Sequence, residues 1–133
     1  MQYRSTRGES PAVSFSEALL AGLAPDGGLY VPTEWPQFAP GDFTAGASLA
    51  AAARTLIAPF TAGDMLAAAL DEITAEAFNF PAPLVPVGQA DYSVLELFHG
   101  PTAAFKDFGA RFLAASLARL RPAGARPLEI LVA

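Results

Sequence analysis

The sequence predicts an α/β fold in two parts: an α/β lead domain, mostly helical, over residues 1–80, and the opening of a second α/β domain over residues 81–133. Three observations carry this reading. Apolar residues recur at helical spacing through 14–22, 47–58 and 64–77. A break rich in proline follows, with Pro81, Pro83 and Pro86. Beyond it, short β-type runs flank one more helical stretch, the alternation that builds an open sheet with helices on its faces.

Taken in order, Gln2 to Thr6 reads as an extended opening strand, after which Gly8 and Pro11 turn the chain. Arg4 and Arg7 suit ordinary surface charge or an anion contact. Ser14 with Glu17 three residues later makes a capping box, and Phe15, Ala18, Leu19 and Leu23 follow at helical spacing to a stop near Gly22. PDGG at Pro25 to Gly28 signals a turn, its two glycines fitting either turn geometry or a ligand's close approach to the backbone. Leu29 to Val31 is a short strand, and Pro32 to Gly46 a compact loop around Trp35. Ala47 to Ala58 forms a helix stopped by Pro59. Asp64 caps another, in which Leu66, Leu70, Ile73 and Ala77 share one apolar face. Asp71, Glu72 and Glu76 make a solvated acidic face rather than a metal site.

In the second part, Leu84 to Val87 and Tyr92 to Phe98 pair as strands across a turn at Gly88 to Asp91. The latter strand delivers His99 to its carboxyl end, where open α/β folds gather ligands. Ala103 to Leu120 reads as a helix capped by Thr102, with Asp107 in its early turns where negative charge is favoured. After a turn at Arg121 to Pro127, LEILVA at Leu128 to Ala133 is typical of a buried parallel strand. Because the sequence stops inside that apolar run, it reads as an N-terminal fragment of a longer protein, truncated after a parallel strand and with an apolar sheet edge open to pairing.

Composition narrows the function. With 133 residues and 53% of them hydrophobic, the chain can bury a core of ordinary size. The apolar stretches are broken by Arg54, Pro59, Asp64 or Asp71 before they could span a bilayer, and MQYRSTRGES lacks the apolar run of a signal peptide, so a cytoplasmic location is expected. No cysteine and one histidine leave no disulfide and no soft-ligand metal cluster. A net charge of -5 with scattered basic residues offers no stripe for nucleic acid.

The strongest functional signal is a single residue. Seven of the eight basic residues are arginine, and the exception is Lys106. Arginine stays charged, whereas a lysine can lose its proton and attack a carbonyl. On a helical wheel with Lys106 at zero, Phe105, Phe108 and Phe112 lie at about 200° to 260° and Leu113, Leu117 and Leu120 at about 320° to 20°. Lys106 then sits at the edge of the apolar arc, while Asp107 and Arg111 project away at about 100° and 140°. Gly109 and Ala110, one turn on, leave room for a flat ligand. Partial burial and the positive end of the helix would favour a neutral amine able to condense with an aldehyde. The same spacing is met by a lysine snorkelling from the rim of an amphipathic helix.

The stretch HGPTAAFKDFGARFL from His99 resembles the pyridoxal phosphate lysine segment of the threonine synthase family, in its longer bacterial and fungal form. YRSTRG at Tyr3 to Gly8 and LLAGLAPDGGLYVP at Leu19 to Pro32 agree with the same family, in the right order. Position 103, often a larger aliphatic residue there, is alanine here. The resemblance implies the start of a fold-type II pyridoxal-phosphate catalytic domain in residues 81–133. It also implies a lyase of threonine biosynthesis, turning O-phosphohomoserine and water into threonine and phosphate. Lys106 would form the Schiff base with pyridoxal 5'-phosphate and shuttle protons, Phe105 would pack beside the cofactor, and His99 and Thr102 would lie near the substrate. The residues by themselves also allow Phe105 in the core, Thr102 as a helix cap and His99 fixing backbone carbonyls. Two other functions stay open: a related phospho-lyase sharing the lysine segment, which would release phosphate and ammonia to give a keto acid, and, in another class, a truncated interaction module without catalysis. The fragment by itself is expected to be inactive.

Overall fold

A computed structural model describes residues 1–88, 91–122 and 124–126. The opening strand β1 (Tyr3–Ser5) pairs antiparallel with β2 (Tyr30–Pro32), Tyr3 facing Pro32 and Ser5 facing Tyr30. Alternation along β1 buries Tyr3 and Ser5 and exposes Arg4, as the two-residue period of a strand dictates. Between the two strands runs α1 (Phe15–Ala21), started by the expected capping box. The Glu17 amide donates to the Ser14 hydroxyl at 3.2 Å, and the Ser14 amide donates to the Glu17 carboxylate at 2.8 Å. Gly22 ends it at φ 70°, a left-handed conformation natural to glycine.

The PDGG turn is held by Asp26. Its carboxylate accepts from the Ser5 hydroxyl at 2.7 Å, from the Gly28 amide at 2.9 Å and from the Glu9 amide at 3.1 Å, while the Arg7 guanidinium donates to the Asp26 carbonyl. These bonds, led by that from Ser5, hold the Asp26 carboxyl down at about 2. Gly28 is glycine because a Cβ there would overlap the Ser5 hydroxyl and lie 3.1 Å from the Arg7 amide nitrogen. Turn packing against β1 thus accounts for this glycine.

The loop after β2 contains a short 3-10 turn at Pro40–Asp42. Helix α2 (Leu49–Ile57) starts at Ser48, whose hydroxyl accepts from Ala51, and a 3-10 turn at Ala58–Thr61 follows it. Pro59 stands in the first turn of that segment, where a missing N–H breaks no bond. Asp64 caps as expected, but the helix it begins is 3-10 over Met65–Ala69 before becoming α3 (Leu70–Ala77). The apolar face is as expected: Leu66, Leu70, Ile73 and Ala77 are all buried. Opposite them, Asp71 pairs with Arg54, and Glu72 and Glu76 with Arg119.

The hairpin of β3 (Leu84–Pro86) and β4 (Ser93–Leu95) joins antiparallel, Leu84 opposite Leu95, and every residue of both strands is exposed. The strands are shorter than the runs read from the sequence. Helix α4 (Lys106–Leu120) then returns to the core. Phe112 lies against both core clusters, one built on Ala53, Ala77 and Phe78 and the other on Leu66, Ile73 and Ala115. A chain of rings links the layers: Tyr3 to Phe15, Phe15 to Phe112, Phe112 stacked on Phe78 at 6.2 Å, and Phe108 between Phe78 and Phe80. The strand expected at Leu128 to Ala133 lies outside the described residues. Among those described, no helix is long and apolar enough to cross a membrane.

Candidate functional site

The site is built from the segment between β4 and α4. The helix does not begin at Ala103, as read from the sequence, but at Lys106, and Thr102 is not its cap: the residue before the helix is Phe105, which makes no side-chain capping bond. The reason is Asp107. Its carboxylate folds back to accept from the Thr102 amide at 2.9 Å and from the Thr102 hydroxyl at 2.8 Å, and the residue is buried. The preceding turn is closed by the Ala103 amide on the Gly100 carbonyl and by the Asp107 amide on the Ala104 carbonyl. Ala103 adopts φ 55°, a left-handed conformation that a β-branched residue would enter at greater cost.

Gly100 completes this turn. A Cβ at that position would lie 2.7 Å from the Asp107 Cβ and 2.9 Å from its Cγ, so only glycine leaves room for the Asp107 side chain against this backbone. Hence Gly100, Thr102 and Asp107 form one packed unit directly before and after Lys106.

The wheel read from the sequence needs rotating. Asp107 and Arg111, expected to point away from the core, lie on its side. The Arg111 guanidinium donates to the Ala77 and Glu76 carbonyls, both at 2.8 Å, and to the Asn79 side chain at 3.0 Å. Those carbonyls belong to the last turn of α3, which has no further helical N–H to bond, and a guanidinium fork suits them. Lys106 consequently takes the opposite side and is exposed, correcting the expected partial burial. It enters no ion pair among the described residues, since its neighbouring carboxylate is engaged with Thr102. As the first residue of α4, it stands at the positive end of the helix.

Around it, Phe105 is 64% exposed, which removes the reading that places it in the core. Ala110 is exposed, and a Cβ added at Gly109 would meet nothing within 4 Å. His99 is not delivered by the strand as expected but lies four residues past the end of β4, with its Nε2 2.6 Å from Glu96 Oε2 and its ring 4.7 Å from that of Phe98. A carboxylate only accepts, so Nε2 donates and Nδ1 is left for another group. Glu96 and Asp107 were missed in the sequence. The spacing of three residues from Glu96 to His99 was the available signal for the first; the second had none beyond its place beside Lys106.

An apolar groove of about 650 Å3 runs between β1, α2 and α4, lined among others by Tyr3, Trp35, Leu56, Phe60 and Phe108. Lys106 does not line it. No group of three potential metal ligands occurs among the described residues.

Against known proteins, residues 2–78 match the family described as "Threonine synthase N terminus". The threonine synthase of Pseudomonas aeruginosa is 43% identical over 119 residues, an alignment covering 85% of this chain and 25% of that protein. That of Escherichia coli is 36% identical, with 100% of this chain and 31% of the other covered. Among solved structures, the chain superposes on a PLP-bound threonine synthase from Brucella melitensis with a TM-score of 0.79 at 46% identity, covering 90% of this chain and 28% of that one. The chain therefore spans about a quarter to a third of the length of the relatives it matches.

Proposed function

The chain belongs to the threonine synthase family, and from that footing we propose that it forms the N-terminal part of an enzyme converting O-phosphohomoserine and water to threonine and phosphate. Residues 1–80 serve as the lead domain and residues 81–133 as the first part of the catalytic domain, incomplete by itself and inactive alone. The observation that carries this reading is the chain's one lysine, the first residue of α4, with its amine in no ion pair among the described residues and the adjacent carboxylate occupied.

The donor set fits one end of pyridoxal 5'-phosphate. Lys106 offers the primary amine an aldehyde requires, and Phe105 an exposed ring face for a flat pyridine. When bound, the cofactor supplies an electron sink for carbanion chemistry at the substrate. With the cofactor bound, the Lys106 Nζ would move protons between neighbouring substrate carbons. His99, its Nε2 fixed by Glu96, presents Nδ1 to the substrate. Thr102, whose amide and hydroxyl both donate to Asp107, is left to offer only acceptor oxygens nearby.

A chimera tests this directly. These 133 residues, replacing the matching N-terminal stretch of the Escherichia coli enzyme, are expected to give threonine and phosphate from O-phosphohomoserine, and Lys106→Ala to abolish both. A keto acid with ammonia in place of threonine would overturn the assignment in favour of a phospho-lyase.

A further inference from the structure

Resting on the reading of Lys106 as the aldehyde-binding amine, we infer that Asp107 is a positioning residue for it, acting through a lock formed with Gly100 and Thr102. Three independent features meet there. The Asp107 side chain is buried although it belongs to the first turn of a helix, where a carboxylate would be favourable in solvent. Both of its oxygens are engaged by one residue, Thr102, through its amide and its hydroxyl. And the backbone at Gly100 lies so close that any side chain would enter the Asp107 carboxylate.

A helix cap alone needs none of this. Ordinary capping residues precede the helix and accept from its amides, as Ser14 and Ser48 do here. Asp107 does the reverse, reaching out of the helix to fasten the chain before it. The lock closes the turn from Gly100 to Asp107 and stops α4 from extending back toward Ala103, so the helix starts at Lys106. This start places the amine at the positive helix end and on the open side of α4. The lock also engages the carboxylate next in sequence, and the amine enters no ion pair among the described residues.

The chain has only two amines, Lys106 Nζ and the Met1 α-amino group, so each serves as the other's control. The test is brief treatment with pyridoxal 5'-phosphate and borohydride, with the label at each amine quantified by peptide mapping. Amide hydrogen exchange is followed at Thr102 and, as a check on folding, at Ala115 and Leu117. The parent is expected to favour Lys106 over Met1. Gly100→Ala and Asp107→Ala should each speed exchange at Thr102 about tenfold, with Ala115 and Leu117 still protected. Both should lower the Lys106 to Met1 ratio by about threefold or more, as misplacement of a reacting group does. Thr102→Ser, which keeps both bonds, should retain the parental ratio. If Asp107→Ala unfolds the chain, Thr102→Val, which deletes one bond, takes its place in the comparison. Preference for Lys106 that persists in Gly100→Ala while Thr102 exchange accelerates overturns the positioning role alone. Equal labelling of the two amines in the parent removes the reading on which it rests, and the inference with it.

Discussion

Replacing Asp64 by alanine should be among the most costly single changes outside the apolar core. Asp64 accepts from three donors. The Leu66 amide gives at 2.9 Å to the oxygen that also takes the Ser16 hydroxyl, and the Ser16 amide gives at 2.9 Å to the other oxygen. It thereby caps the helical stretch that leads into α3 and ties it to α1. Burial by itself would raise the Asp64 carboxyl, but the bonds from Ser16 and Leu66 outweigh it and lower the group below its ordinary value. Alanine leaves the buried Ser16 without its partner and removes a cap. With a cap at about 1 kcal/mol and a hydrogen bond to a charged group at about 2 kcal/mol, the loss is about 3 kcal/mol. The Asp64→Asn variant keeps an acceptor for the Ser16 hydroxyl and Leu66 amide but turns its NH2 toward the Ser16 amide, so about half that loss is expected. The assay is urea unfolding followed by circular dichroism, repeated at falling pH. Because the folded carboxyl is lowered, its contribution is full at neutral pH and disappears as pH falls through the carboxylate range. The parent should lose stability there and Asp64→Ala should lose less. An alanine variant within about 0.5 kcal/mol of the parent, with the same acid profile, would refute the reasoning.

Three further outcomes follow from the packing. Arg111→Met should cost about 2 kcal/mol by stranding the Glu76 and Ala77 carbonyls, and Arg111→Lys should recover only part of it because an ammonium lacks the fork, as thermal unfolding would measure. Gly28→Ala should destabilise by about 2 kcal/mol because the new Cβ overlaps the Ser5 hydroxyl; a neutral effect in the same measurement would contradict the close approach. Burial, with the negative charge of Asp64 behind it, pushes the Tyr3 hydroxyl from 10.0 up to about 12, so the stability this group contributes is full below 10 and lost as pH rises toward 12. Tyr3→Phe should flatten that alkaline slope, and parallel slopes in the two proteins would count against it.

Local signals in the sequence located most of the elements. Ser14 and Glu17 specify the start of α1 within four residues, and the spacing of Leu66, Leu70, Ile73 and Ala77 specifies the buried face of α3 through periodicity alone. The start of α4 was misplaced because side-chain bonds that close a turn leave no periodic trace: Thr102 resembles a cap in sequence, yet its hydroxyl donates to Asp107. Apolar size alone does not orient α4, because its position is also set by Arg111 reaching carbonyls 34 and 35 residues earlier. Charged residues that bury themselves on a distant backbone look like solvent-facing ones until the fold is known. At the site, the unusual residue type singled out Lys106, but its exposed setting follows from those tertiary bonds.

The central claim is that Lys106 is the amine that holds the cofactor, and peptide mapping of the borohydride-reduced chimera with pyridoxal 5'-phosphate tests it most directly. A single pyridoxyl label on the peptide containing Lys106, lost in Lys106→Ala, is the expected result. A label on a lysine contributed by the Escherichia coli portion, with Lys106 unmodified, would contradict it.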